Sequence, residues 1–227
     1  MKHWPAILTP RERRLADRLR TPAQVQAYLN RLPYNYEKGG ETLRTFRGVV
    51  RHGQAHCLEA ALFAATVLER QGYAPRVISF ESVDGLDHVI FVYHANGRWG
   101  SVARSRDPGL HGRRPVFATP RALAASYMDT YVDFTGRVTA FAVVNLDDEL
   151  GTYDWRLSEK NVWKVEQMLI DFPHQPLRMT DARYRRLHAR YTVFRAEHDD
   201  RKPVRYYKGR EAWTPLPIDD TWEMPKK

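Results

Sequence analysis

The sequence predicts an α+β protein, and three observations carry that prediction. Three Thr-Pro pairs have the form of helix starts, and an alanine-rich, almost wholly apolar segment follows Cys57. Short apolar runs, two of them joined by Asn96-Gly97, predict an antiparallel sheet. With 227 residues, 43% of them hydrophobic, the chain can bury one large core or one core with an appendage.

The Thr-Pro pairs predict where helices begin. Threonine can cap a helix, and proline fits the first helical position. Thr9, Thr21 and Thr119 each precede a proline, which predicts helices over about 10–20, 22–31 and 120–130. Glu12 and Gln24 then stand at the third helical position and complete two capping boxes.

The segment after Cys57 predicts a central helix over about 57–70. Its alanines form a small-residue face that lets the backbone approach a sheet closely, and its other side is also apolar. Gly72 can end the helix in the left-handed conformation. A helix of this composition is expected in the middle of the core. A polar, reactive side chain such as Cys57 is unusual at the N-terminus of so buried a helix.

Four runs predict strands: 75–81, 88–94, 99–103 and 138–145. Asn96-Gly97 is a strong signal for a two-residue hairpin turn between the second and third runs. That register places Ser105 opposite His88, with Ser101 and Ala103 on the same face.

The last third of the chain is predicted to be a helical extension. Ser158 and Thr180 can cap helices whose apolar residues recur at helical spacing. We expect residues 1–149 to form a core with N-terminal helices, and 150–227 to pack on it and end in a basic tail from Arg201. Arg183, Arg186 and Arg190 are expected to be solvated, with a phosphate-binding face as the alternative.

Composition indicates the cellular compartment and the kinds of partner to expect. One cysteine excludes an intramolecular disulfide framework, and the N-terminal residues lack the apolar stretch of a secretory signal. No apolar run approaches the ~20 residues that cross a bilayer. We therefore expect a soluble, cytoplasmic protein that does not act at membranes.

The net charge of +9 and the pI of about 9.7 make nucleic acid a possible but less favoured partner of the protein. The sequence does not indicate an oligomeric state.

Cys57 and His88 predict the chemistry. A helix N-terminus favours the thiolate, which is the form that attacks carbonyls, and His88 opens the most apolar strand of the chain. Together they indicate a Cys/His acyl-transfer site, which requires no metal or organic cofactor. A zinc site that joins His52, His56 and His88 to Cys57 is the alternative, but its spacing fits none of the familiar zinc signatures.

The same region resembles the transglutaminase-like cysteine enzymes, whose broad fold group includes papain-like proteases and arylamine N-acetyltransferases. The resemblance covers about residues 50–105. It consists of a loop into an alanine-rich helix, a Gly-x-x-x-Arg-Val entry to a strand, a histidine that opens the next strand, and a Gly-Arg-Trp turn. These are Gly53-Gln-Ala-His-Cys57, Leu62-Phe-Ala-Ala65, Gly72-Tyr-Ala-Pro-Arg-Val77, His88-Val-Ile-Phe-Val92 and Gly97-Arg-Trp99.

The resemblance implies a transglutaminase-like, papain-like core and a role for individual residues. Cys57 would be the nucleophile and His88 the general base that becomes the general acid. The family's usual aspartate, which orients the histidine, is replaced by Ala103. Ser105 or Asp107 would have to take that role, or the site is degenerate.

Three further residues are predicted to bind substrate or the oxyanion. Gln54 can donate a side-chain amide hydrogen bond to the oxyanion, alongside the Cys57 N–H. His56 can line the cleft and raise the thiolate fraction of Cys57. Glu59 matches part of the arylamine N-acetyltransferase pattern, which lacks its Gly-Gly and its aspartate here.

The sequence thus predicts a cysteine-dependent acyltransferase or hydrolase that forms a thioester acyl-enzyme. Its substrate would be a peptide, a protein or a small amide. The alternative is a catalytically degenerate member of the fold that binds peptide, protein or nucleic acid. The replacement of the usual aspartate by Ala103 favours that alternative, and the Cys57/His88 pairing favours the enzyme.

Overall fold

The computed structural model describes residues 8–83, 88–133, 136–198, 204 and 207–217. It confirms an α+β protein, built on one six-stranded sheet in the order β4-β3-β2-β1-β5-β6 with antiparallel neighbours. The strands are β1 (Arg76–Ser82), β2 (His88–Ala95), β3 (Arg98–Val102), β4 (Arg113–Phe117), β5 (Val138–Asn145) and β6 (Gln175–Pro176). The helices are α1 (Pro10–Arg18), α2 (Pro22–Asn30), α3 (Phe46–His52), α4 (Cys57–Glu69), α5 (Pro120–Ala125), α6 (Met128–Tyr131), α7 (Leu146–Leu150), α8 (Trp163–Asp171) and α9 (Asp181–His198).

The predicted helix starts are confirmed at α1, α2 and α5. Both capping boxes form, with Glu12 and Gln24 accepting the N–H groups of the capping threonines. The single helix predicted over 120–130 is wrong, because the chain forms α5 and α6 instead. The Ser126 hydroxyl donates to the Leu123 carbonyl at 2.7 Å and so satisfies a helix-end carbonyl locally.

The hairpin register is also confirmed. Phe91 pairs with Val102 and Ala95 with Arg98, while Asn96 and Gly97 adopt the positive φ angles of 51° and 73° that a type I′ turn requires. The pairing of β2 with β3 ends at Val102. Ser105 therefore lies beyond the ladder rather than opposite His88.

Helix α4 lies at the centre of the core. Every residue from Leu58 to Leu68 is buried. One side of the helix packs on β2, and the other contacts α2 and α3, where the Phe63 ring stacks on Tyr28 at 5.3 Å. A second apolar cluster, which includes Phe80 and Tyr127, covers the other face of the sheet. The head of α4 is thereby held rigidly.

The last third only partly follows the prediction. Helix α8 begins at Trp163 rather than after Ser158, whose hydroxyl binds Lys160 in a local turn. Thr180 caps α9 as predicted. Buried residues between 155 and 169 belong to the same core cluster as α4, and the division at 149/150 stays a prediction. Much of the basic tail after Arg201 lies outside the described residues. None of the described helices is long and apolar enough to cross a membrane.

Candidate active site

The loop before Cys57 is fixed by main-chain hydrogen bonds. Helix α3 ends at His52, and Gly53 follows it in the left-handed conformation with a φ of 68°. The Ala55 N–H donates to the Pro33 carbonyl at 3.3 Å, and the Ala55 carbonyl accepts from the Asn35 N–H at 3.2 Å. Cys57 follows as the first residue of α4 and is half-buried. The thiol thus sits at a rigid helix N-terminus, as the sequence predicts.

Glu59 holds this loop in place through hydrogen bonds. Its carboxylate is fully buried and accepts hydrogen bonds from the His56 N–H, the Asn35 amide, the Thr42 hydroxyl and the Arg44 N–H, all at 2.9–3.1 Å. The predicted contact with substrate is therefore not available to Glu59, since its oxygens are already engaged. It ties three segments of chain to the helix that carries the thiol.

His88 is the first residue of β2 and is 3% exposed. Its ring packs against those of Phe80 and Tyr127, each with its centroid 6.1 Å away, and these two rings also contact each other at 5.4 Å. Nε2 makes a 2.9 Å hydrogen bond with the Leu110 carbonyl. Because a carbonyl can only accept a hydrogen bond, Nε2 carries the proton in this contact. Nδ1 is then unprotonated and is left for the thiol.

The hydrogen-bond partner of His88 Nε2 is neither Ser105 nor Asp107, the two residues that the sequence indicated. Ser105 is buried, and its hydroxyl accepts a hydrogen bond from the Asp107 N–H at 3.0 Å. Both residues line the cleft beside His88. The ring nitrogen is instead held by a main-chain carbonyl, because the chain leaves the sheet after Val102 and passes His88 at Leu110 before it rejoins the sheet at β4.

Arg113 holds the loop that supplies this carbonyl. Its guanidinium is fully buried and donates to the Gly109 carbonyl at 2.6 Å and to the His111 carbonyl at 2.8 Å. It also lies 4.0 Å from the centroid of the Tyr127 ring. Leu110 is thus clamped between two residues whose carbonyls bind Arg113.

His111 is buried in the same loop. Its side chain is fully enclosed by the protein. Burial and the neighbouring Arg104 lower the pKa of His111 to about 3, so its ring is neutral.

Two imidazoles act on the Cys57 thiol. Burial raises the pKa of Cys57, but hydrogen bonds with His56 and His88 and the charges of both rings outweigh it, so the pKa lies well below the ordinary value. Burial lowers the pKa of His56, but the hydrogen bond and charge of Cys57, together with Glu59 and the Thr42 carbonyl, raise it to about 9. At neutral pH the favoured state is a thiolate beside a protonated His56.

We expect the titration of His56 to depend on the thiolate. In the native protein the His56 ring should titrate near 9, and in the Cys57→Ser variant its pKa should fall toward the ordinary ~6.5, because serine carries no negative charge. NMR titration of the imidazole Cε1–H resonances of the two proteins measures this difference. An unchanged His56 midpoint would show that the thiol is not charged beside it.

The cleft that exposes Cys57 has a volume of about 410 Å³ and an acidic lining. Its carboxylates are those of Glu37, Glu41, Asp107, Asp133 and Glu166. Burial raises the pKa of Glu166; the positive charge of His56 opposes this rise, and the charges of Glu41 and Glu37 add to it. Trp163 and Ile170 of α8 contribute exposed apolar surface to the same cleft.

Sequence reasoning missed this contribution of α8, whose residues are more than 70 positions from His88. Helical periodicity indicated which α8 residues are buried, but it contained no signal that the helix edge would face the thiol.

Gln54 lies in an adjoining cavity rather than in this cleft. His56 lines the cleft as predicted from its position, while His52 is exposed at the end of α3. Within the described ranges, no group of three or more His, Cys, Asp or Glu side chains could hold a metal ion.

Comparisons with known proteins add little to this geometry. Neither a family model nor a curated protein matches the sequence significantly. Among solved structures, Legionella pneumophila LapG is similar over 73% of this chain and 90% of its own, with 10% identity and a TM-score of 0.36. A likeness of that size defines neither a family nor an activity for this chain.

Proposed function

We propose that this protein is a cysteine-dependent acyl-transfer enzyme with a transglutaminase-like core, acting on an amide or thioester. The observation that supports this most is the position of the Cys57 thiol, which lines a cleft together with His56 and His88, whose hydrogen bonds and charges lower its pKa. A purely structural cysteine needs neither a lowered pKa nor an opening to solvent.

In the proposed reaction the Cys57 thiol gives its proton to Nδ1 of His88, and the thiolate attacks the substrate carbonyl and forms a tetrahedral oxyanion. The Cys57 N–H at the head of α4 is positioned to donate to that oxygen. The oxyanion then collapses, the carbon–nitrogen or carbon–sulfur bond breaks, and protonated His88 gives its proton to the leaving amine or thiol. Water or an amine attacks the resulting thioester, with His88 accepting its proton, and the free thiolate returns.

The two histidines have different parts in this proposal. His88 transfers the proton, since its Nε2 is fixed by the neutral Leu110 carbonyl and its Nδ1 is left for the reaction. His56 stays protonated and stabilises the thiolate, since Thr42 and Glu59 support its charged form. The positive charge of His56 favours the thiolate, but it does not replace the negative charge that an aspartate at position 103 would supply to His88.

A non-catalytic binding protein is the second candidate function. The absence of the usual aspartate at Ala103 supports it, because the Leu110 carbonyl fixes the His88 tautomer but carries no charge to stabilise an imidazolium.

Acyl-enzyme formation decides between the two functions. We expect p-nitrophenyl acetate to acetylate Cys57, detected by mass spectrometry as one acetyl group that hydroxylamine removes. Cys57→Ser is the matched control and should gain no such group. Native protein that remains unmodified, although iodoacetamide alkylates it, would favour the binding function.

A further inference from the structure

The C-terminal part of the described chain folds back onto the loop that precedes β4. We call residues 209–215 the C-terminal strap. Trp213 pairs with Arg113 in an antiparallel β-bridge, and the Thr214 N–H and hydroxyl donate to the Gly112 carbonyl at 3.1 and 3.0 Å. The strap is therefore bound to the main chain of the loop and of the first residue of β4.

The side chain of Trp213 covers the buried guanidinium of Arg113. Trp213 is 6% exposed, and its ring centroid lies 4.9 Å from the guanidinium carbon. The Tyr127 centroid lies 4.0 Å from the same carbon. Burial lowers the pKa of Arg113 to about 10, so the group keeps its charge at neutral pH. The electron-rich faces of aromatic rings stabilise such a desolvated cation.

Arg113 has no carboxylate partner among the residues that the structure describes. Its hydrogen bonds go to main-chain carbonyls and to the Ser126 hydroxyl, all of which are neutral. The two shortest go to the carbonyls of Gly109 and His111, the neighbours of Leu110. Without an aromatic cover, water would compete with these carbonyls for the guanidinium N–H groups and release the loop.

We propose that Trp213 is a positioning residue for His88. It acts through Arg113, whose hydrogen bonds keep the Leu110 carbonyl where the Nε2–H of the histidine donates to it. This role rests on the proposed function, in which Nδ1 must be free of its proton to act as the base. An imidazole that loses its Leu110 acceptor can take the other tautomer, with the proton on Nδ1, and then cannot accept one from thiol or water.

Two substitutions separate the aromatic face of Trp213 from its bulk. Trp213→Phe keeps a ring beside the guanidinium, whereas Trp213→Leu keeps the site apolar and covered but removes the ring. Trp99→Leu is the matched control, because Trp99 is a half-buried tryptophan of β3 whose ring contacts His94 rather than Arg113. A loss of stability common to both leucine variants would reflect packing alone.

The tautomer of His88 is the direct readout. It is measured by long-range proton–nitrogen NMR correlation at mildly alkaline pH, in protein with isotope-labelled histidine and Cys57→Ser, so that no thiolate charge acts on the ring. The His88→Ala spectrum assigns the signal. We expect the Nε2–H tautomer in the parent, Trp213→Phe and Trp99→Leu proteins, and a mixture of both tautomers in Trp213→Leu.

Hydrolysis of acetylated Cys57 is the second readout, because the attacking water needs His88 as its base. With the native thiol present, we expect Trp213→Leu to lose its acetyl group roughly 10-fold more slowly than native protein. Trp213→Phe and Trp99→Leu should react at about the native rate.

Each contrary result has a separate meaning. A pure Nε2–H tautomer in Trp213→Leu, or the same mixture in Trp99→Leu, would overturn the positioning role. An equal change in Trp213→Phe and Trp213→Leu would overturn the action through Arg113, since any loss of fit would then suffice. Failure of the proposed function would instead appear as native Cys57 that p-nitrophenyl acetate does not acetylate, while the tautomer still depends on Trp213.

Discussion

Replacing His88 by alanine is expected to slow the acylation of Cys57 by p-nitrophenyl acetate by about two to four orders of magnitude. The Nε2 hydrogen bond with Leu110 and the ring contacts with Phe80 and Tyr127 hold this imidazole in one orientation. Stopped-flow release of p-nitrophenolate measures the rate.

His94→Ala is the matched control, because His94 lies on the same strand, is exposed, and is outside the cleft. The control should retain the native acylation rate. Equal acylation rates in the two variants would show that His88 takes no part in the reaction.

The Glu59→Gln variant is expected to lose about 3 kcal/mol of the free energy of unfolding. The buried carboxylate accepts four hydrogen bonds, and the glutamine amide would direct N–H groups at donors that need an acceptor. The variant keeps the side-chain volume, so the loss measures hydrogen bonding and charge rather than packing.

Urea unfolding followed by tryptophan fluorescence tests this loss. Glu41→Gln is the control, because the Glu41 side chain is exposed and its replacement should change stability by less than about 0.5 kcal/mol. If both variants unfold at the same urea concentration, Glu59 does not hold the loop before Cys57.

Much of the fold could be predicted because its signals are local. The capping boxes at Thr9 and Thr21 each lie within four residues, and the register of β2 and β3 follows from two residues, Asn96 and Gly97. The positions of Cys57 at a helix head and His88 at a strand start follow from the same short-range patterns.

The parts that could not be predicted depend on contacts distant in sequence. The partner of His88 is a main-chain carbonyl 22 residues away, and main-chain atoms have no signature in a sequence. The loop that carries it is held by a buried arginine, Arg113, whereas charge alone indicates solvent exposure. The resemblance to the arylamine N-acetyltransferase pattern predicts a substrate role for Glu59, whereas its hydrogen-bond partners include Asn35, 24 residues before it in the chain.

The central claim is that Cys57 is a thiolate at neutral pH. The pH dependence of its alkylation by iodoacetamide tests this most directly, since the chain has one cysteine. Because hydrogen bonds and charges from His56 and His88 lower the pKa of Cys57, the rate should rise with pH through a midpoint well below the ~8.5 of a free thiol. A midpoint at or above that value would contradict the account.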